Sequence, residues 1–139
     1  GLGTDGAASN NRLDMFGEMR LAALLAKGNS GDASTLPARE ALRMATLDGA
    51  TALGLGREIG SITPGKAADL TAVRLAGPEL SPCHDPVSHL VYAAGGGDVQ
   101  TVVVHGRLVV QDREILTFDL KETLARSREL ARRVSAGKG

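Results

Sequence analysis

The chain has 139 residues, enough for one ordinary domain, and its 16 basic and 16 acidic side chains leave no net charge, so nothing in its electrostatics selects nucleic acid or an anionic membrane as a partner. Its single cysteine, Cys83, excludes an internal disulfide and suits a reducing, cytoplasmic compartment, and no stretch reaches the roughly 20 apolar residues of a membrane-spanning helix. No Trp, one Tyr and two Phe stand against 18 Gly, so we expect small faces that pack against elements supplied from elsewhere.

The opening Gly1-Leu2-Gly3-Thr4 reads as the end of a buried strand, with Asp5 at its C-terminal tip and Gly6 to Asn11 as a tight loop. A strand ending at Thr4 should carry several β-branched residues before it, so we expect the chain to be the tail of a larger protein. Asp14 is a good N-cap for a helix from Met15 to Lys27, which Gly28 would stop. After a polar loop, Thr35 can cap a helix over Ala38 to Leu47, with Pro37 in its first turn. Asp48-Gly49 should break it before a short helix from Ala50 to Leu53.

Ile59 to Lys66 is turn-rich, and Ala67 to Leu75 alternates as a strand does. Asp85 should start a short helix over Pro86 to Ala94, ahead of the Gly95-Gly96-Gly97 loop. Val99 to Val104 and Arg107 to Val110 flank His105-Gly106 as the clearest hairpin in the sequence. Ile115 to Phe118 reads as a further extended piece, and Asp119 with Glu122 forms a capping box for a last helix whose stripe is Leu120, Leu124, Leu130, Ala131 and Val134.

Asp5 is the strongest chemical candidate, either as a metal-ligating or proton-moving carboxylate at a strand end or as a turn residue ordering a Gly-rich loop; its spacing leaves both readings open. Ser9, Asn10 and Asn11 either line a pocket beside it or saturate their own loop backbone. His84 and His89 are five apart and share no helix face, His105 falls in the hairpin turn, and no His-X-His or His-Glu-X-X-His occurs. Gly95 to Gly97 fits neither a P-loop nor a dinucleotide fingerprint, and Lys66 reads as a surface charge.

Several stretches together resemble the amidohydrolase superfamily: Gly3-Thr4-Asp5-Gly6-Ala7-Ala8-Ser9-Asn10-Asn11, Leu13-Asp14-Met15-Phe16, Glu18-Met19-Arg20, Ile59-Gly60-Ser61, Gly65-Lys66-Ala67-Ala68-Asp69-Leu70, and Asp85-Pro86-Val87-Ser88-His89-Leu90-Val91-Tyr92-Ala93. The resemblance is closest to the 5′-methylthioadenosine/S-adenosylhomocysteine deaminase group. It implies an α/β chain forming the C-terminal part of a metal-dependent (β/α)8 barrel hydrolase, with part of a small β-sandwich and a terminal helix. Residues 1–56 would end the barrel, and residues 57–139 would form the β-rich unit.

By the same resemblance, Asp5 would be catalytic and a ligand of a divalent metal, zinc by expectation, with Asp5 and Ser9 at a small nucleoside-like substrate. The implied reaction is hydrolytic deamination by metal-bound hydroxide. The remaining ligands would lie upstream of Gly1, so the 139 residues alone should be inactive, completed by the rest of the barrel or a homo-oligomer. A related chlorotriazine or guanine-type ring hydrolase is the alternative, and a non-catalytic scaffold is the alternative outside enzymes. Arg12 and Gly17 depart from the family pattern, which often has acidic residues there.

Overall fold

The computed structural model describes residues 1–137. Helix α1 (Met15–Ser30) starts at Asp14, whose Oδ1 accepts the Phe16 N–H at 3.1 Å. It passes through Gly28, the expected stop, and ends at Gly31, whose φ of 68° reverses the chain. Lys27 accounts for the extra turn. Its Nζ donates to the carbonyls of Thr35 (2.7 Å) and Leu36 (2.8 Å) and lies 5.7 Å from the centre of the Tyr92 ring. The last turn of α1 is thereby bound to the next loop and to a neighbouring helix.

Helix α2 (Ala38–Ala45) has Pro37 at its cap position rather than Thr35. The expected break at Asp48-Gly49 is instead inside α3 (Leu47–Ala52), and the change of direction falls at Thr46. Asp48 sits in the first turn of α3, where a carboxylate suits the helix dipole, and it takes a 2.8 Å bond from Arg43. Helix α4 (Pro86–Tyr92) begins at Asp85, as its sequence predicts. It packs on α1 and α2. The buried cluster is Met19, Ala23, Ala41 and Val91. Two of those four are alanines, so the helices gain close approach, while Met and Val supply most of the burial, at roughly 1.5–3 kcal/mol per large side chain.

Four strands form one antiparallel sheet in the order β1 (Leu70–Val73), β2 (Val99–Val104), β3 (Arg107–Gln111), β4 (Glu114–Ile115). The β2–β3 hairpin turns on His105 (φ 50°) and Gly106 (φ 77°), the paired left-handed geometry that matches strand twist. The strand expected over Ala67 to Leu75 is shorter because residues 67–69 bond elsewhere. Ala67 N–H donates to Glu58 O at 2.9 Å, Ala68 O accepts from Gly106 N–H at 3.0 Å, and Asp69 Oδ1 accepts the His105 N–H at 2.5 Å. The piece expected over Ile115 to Phe118 pairs only at Glu114 and Ile115. Helix α5 (Leu120–Ala136) is capped by Asp119, but Leu120, Leu124, Leu130 and Val134 are all exposed.

Residues 53–69 join the helices to the sheet. Lys66, expected as a surface charge, is half-buried here. Its Nζ donates to Gly56 O at 2.5 Å and Ile59 O at 3.1 Å, closing the connector on itself. Beside it, between helices and sheet, lies a largely apolar cleft of about 1100 Å³ whose lining includes Leu2, Phe16, Met19, Leu42, Leu70 and Leu90. Charged hydrogen bonds of the Lys66 kind contribute about 1.5–3 kcal/mol each when intact. Lys66→Met should therefore lower unfolding free energy by about 1–3 kcal/mol, read from the denaturant midpoint; an unchanged midpoint would remove Lys66 from the connector's stability.

Candidate active-site carboxylate

The segment leading to Asp5 is held by backbone. Leu2 N–H donates to Met44 O at 3.1 Å, and Gly1 runs so close to α3 that a Cβ on it would lie 2.9 Å from Gly49 Cα. Residues 1–4 pair with no strand among the described residues, so the expected strand tip is here an unpaired segment docked on the α2–α3 junction.

Asp5 itself is exposed and left-handed, with φ 57°, a conformation Asp and Asn tolerate better than most residues. Its Oδ1 accepts the Gly6 N–H at 2.7 Å and its Oδ2 accepts the Ser9 hydroxyl at 2.8 Å. Ser9 and Asn10 both donate their N–H to Gly6 O, at 3.1 and 2.9 Å. Asn10 Oδ1 accepts the Arg12 N–H at 3.1 Å, and Asn10 Nδ2 donates to Glu18 Oε1 at 2.7 Å. The Asp5, Ser9 and Asn10 side chains thus bond within the loop, and Asn10 ties it to α1. A small cleft of about 430 Å³ lies alongside, lined by Ser9 to Arg12, Asp14, Gly17 and Glu18. Glu18 was not singled out from the sequence as a partner of this loop, because a contact across eight positions and a helix start has no short-range pattern.

The Ser9 hydroxyl first, and the Gly6 N–H second, hold the Asp5 carboxyl below its ordinary value of 3.8, since both stabilise the charged form. The carboxylate is fully ionised at neutral pH. Its chemistry suits one ligand position on a divalent cation. Among the described residues no three His, Cys, Asp or Glu side chains converge as a metal site. His84 and His105 are exposed, and His89, in the last turn of α4, has its Nδ1 3.2 Å from the carbonyl oxygen of the cap residue Asp85. Cys83 is exposed and unpaired.

A carboxyl depressed in the fold contributes stability above the unfolded value, and that contribution is lost as pH falls through the folded value. Carboxyl NMR titration should therefore place Asp5 below 3.8, and Ser9→Ala should move it up toward that value. An Asp5 titration identical in the two proteins would mean the Ser9 contact does not form in solution.

Residues 1–109 match the amidohydrolase family. A 5-methylthioadenosine/S-adenosylhomocysteine deaminase of Syntrophobacter fumaroxidans is 50% identical over 133 residues, which cover 96% of this chain and 30% of that protein. The solved structure of an adenosine deaminase from Xanthomonas campestris with bound zinc superposes with a TM-score of 0.90 at 46% identity, covering 94% of this chain and 30% of that one. The zinc complex of an atrazine chlorohydrolase from Arthrobacter aurescens superposes with a TM-score of 0.82 at 34% identity, covering 90% and 28%. The chain therefore spans about 30% of the length of the curated relatives it matches, and over that span, from the segment that carries Asp5 to the β2–β3 hairpin, it belongs to the amidohydrolase family.

Proposed function

We propose that this chain is the C-terminal part of a metal-dependent hydrolase that deaminates an adenine nucleoside, 5′-methylthioadenosine or S-adenosylhomocysteine. The observation that carries the reading is the exposed, ionised Asp5 carboxylate at the end of a backbone-anchored segment, in a chain of the amidohydrolase family. Identity of 50% to a relative named for those two substrates, against 34% to a triazine hydrolase, favours the nucleoside over the ring-hydrolase alternative.

Residues 1–56 would close a (β/α)8 barrel and residues 57–139 would supply the β-rich unit, with α4 packing back on the helices of the first part. The 1100 Å³ cleft and the exposed face of α5 would be covered by the rest of that barrel or by a second copy of the chain. A cytoplasmic site of action belongs to the same proposal and is supported by the lone, unpaired Cys83.

Asp5 would accept a proton from the attacking water and return it to the departing amino nitrogen, the general acid–base task of a positioned carboxylate. A divalent metal, with zinc the ion bound in the adenosine deaminase and chlorohydrolase structures, would supply a water whose pKa lies near 7. Asp5 is the residue of this chain that would hold it.

The test is ammonia release by the full-length protein from 5′-methylthioadenosine and S-adenosylhomocysteine, with chloride release from atrazine measured alongside. Asp5→Asn is the informative variant because Asn keeps the left-handed backbone. It should cost about 10²–10⁴ in kcat with an unchanged circular dichroism spectrum. The 139-residue chain by itself should release none. Turnover of atrazine alone would select the ring-hydrolase alternative, and no turnover of any substrate would select the scaffold.

A further inference from the structure

The carboxylate of Asp5 stands on an exposed loop, where nothing in its own chemistry fixes its two side-chain torsions. A group that must meet a reacting atom needs that orientation set in advance, since displacements of about an ångström at a site can cost about a hundredfold in rate. Two donors set it here. One is main chain, the Gly6 N–H on Oδ1, and the other is the Ser9 hydroxyl on Oδ2.

The Ser9 hydroxyl lies 2.8 Å from Asp5 Oδ2 and 3.2 Å from Gly6 O. It has one hydrogen, and the charged, nearer acceptor takes it. Ser9 is itself placed by its N–H on Gly6 O, and the next residue, Asn10, ties the loop to Glu18 of α1. A continuous hydrogen-bonded path therefore runs from a helix to the carboxylate. A carboxylate offers about four lone-pair sites, so an oxygen that accepts from Ser9 still has one free for another partner.

We propose that Ser9 is a positioning residue for Asp5, holding the carboxylate in one orientation through its hydroxyl rather than contacting substrate. The inference rests on the role given to Asp5 under the proposed function. Partners of this kind, one step removed from a metal, typically change affinity or activity 10- to 100-fold when lost.

The experiment compares Ser9→Ala and Ser9→Thr with wild type in the full-length protein, loaded with zinc. Ser9→Ala should lower kcat by about 10- to 100-fold and leave KM within about twofold, the signature of an interaction used in the transition state and not in substrate binding. It should also lose zinc to a chelator about tenfold more readily, a readout independent of turnover. Ser9→Thr, which keeps the hydroxyl, should recover most of both. A raised KM with unchanged kcat would overturn the proposal in favour of a substrate contact, and unchanged kcat and zinc retention would overturn it outright. Wild-type protein that neither deaminates nor holds zinc would instead overturn the proposed function, and this inference with it.

Discussion

The contact between Gly1 and Gly49 governs where the carboxylate can stand. A Cβ built on Gly1 would fall 2.9 Å from Gly49 Cα, and one on Gly49 would fall 3.0 Å from Met44 O. Backbone meets backbone here, and Leu2 N–H then reaches Met44 O at 3.1 Å. That carbonyl sits in the last turn of α2, where helices have no intrahelical donors left. The segment that delivers Asp5 thus serves as part of the cap of α2. Gly within a helix costs up to about 1 kcal/mol relative to Ala, and α3 accepts Gly49 because a side chain there would crowd this approach. The same logic of small faces places Ala23 and Ala41 in the buried cluster and Ala50 just beyond it.

A second set of polar contacts joins the helices to the sheet. Lys66 draws the carbonyls of Gly56 and Ile59 around its ammonium, and Asp69 accepts the backbone N–H of His105 in the hairpin turn. Few apolar contacts share this task, because the 1100 Å³ cleft separates the two layers over much of their facing surfaces. A sheet with one apolar face needs a covering layer. Here directional hydrogen bonds hold the hairpin against the connector, while much of the apolar lining meets no partner in this chain. The stripe of α5 is in the same condition.

What the sequence disclosed follows from the range of each signal. Asp14, Asp85 and Asp119 each bond a backbone N–H two or three residues ahead, so the caps were legible from neighbours alone, as was the hairpin at His105-Gly106. Gly28 and Gly49 misled because a glycine carries no sign of its purpose. One is tolerated in a helix end held by Lys27, and the other exists for a partner 48 positions away. Lys66 looked like any exposed lysine because its acceptors are main-chain carbonyls, which no side-chain pattern announces. Asp5 was singled out by its place in a motif, whereas its left-handed backbone and its bond to Ser9 came only with the fold. Ser9 and Asn10 bond within the loop and also line the small cleft beside it, so the two readings of these residues are not exclusive.

The state of Asp5 also limits what the loop can do unaided. Hydrogen bonds from Ser9 and Gly6 lower its pKa, and a lower pKa makes a weaker base. A general base works best with its pKa near the operating pH, and this carboxyl lies further from neutrality than an ordinary aspartate. The loop therefore supplies orientation and ionisation, which suit a metal ligand, and it works against proton acceptance. Enclosure would reverse that second tendency, because desolvation raises a carboxyl's pKa and an exposed Asp5 has almost none to begin with. Ligation and proton transfer, the two tasks proposed for Asp5, would place different demands on the same side chain. The contacts within residues 5–18 would serve the first, and the second would require surroundings that bury the carboxylate without breaking its bond to Ser9.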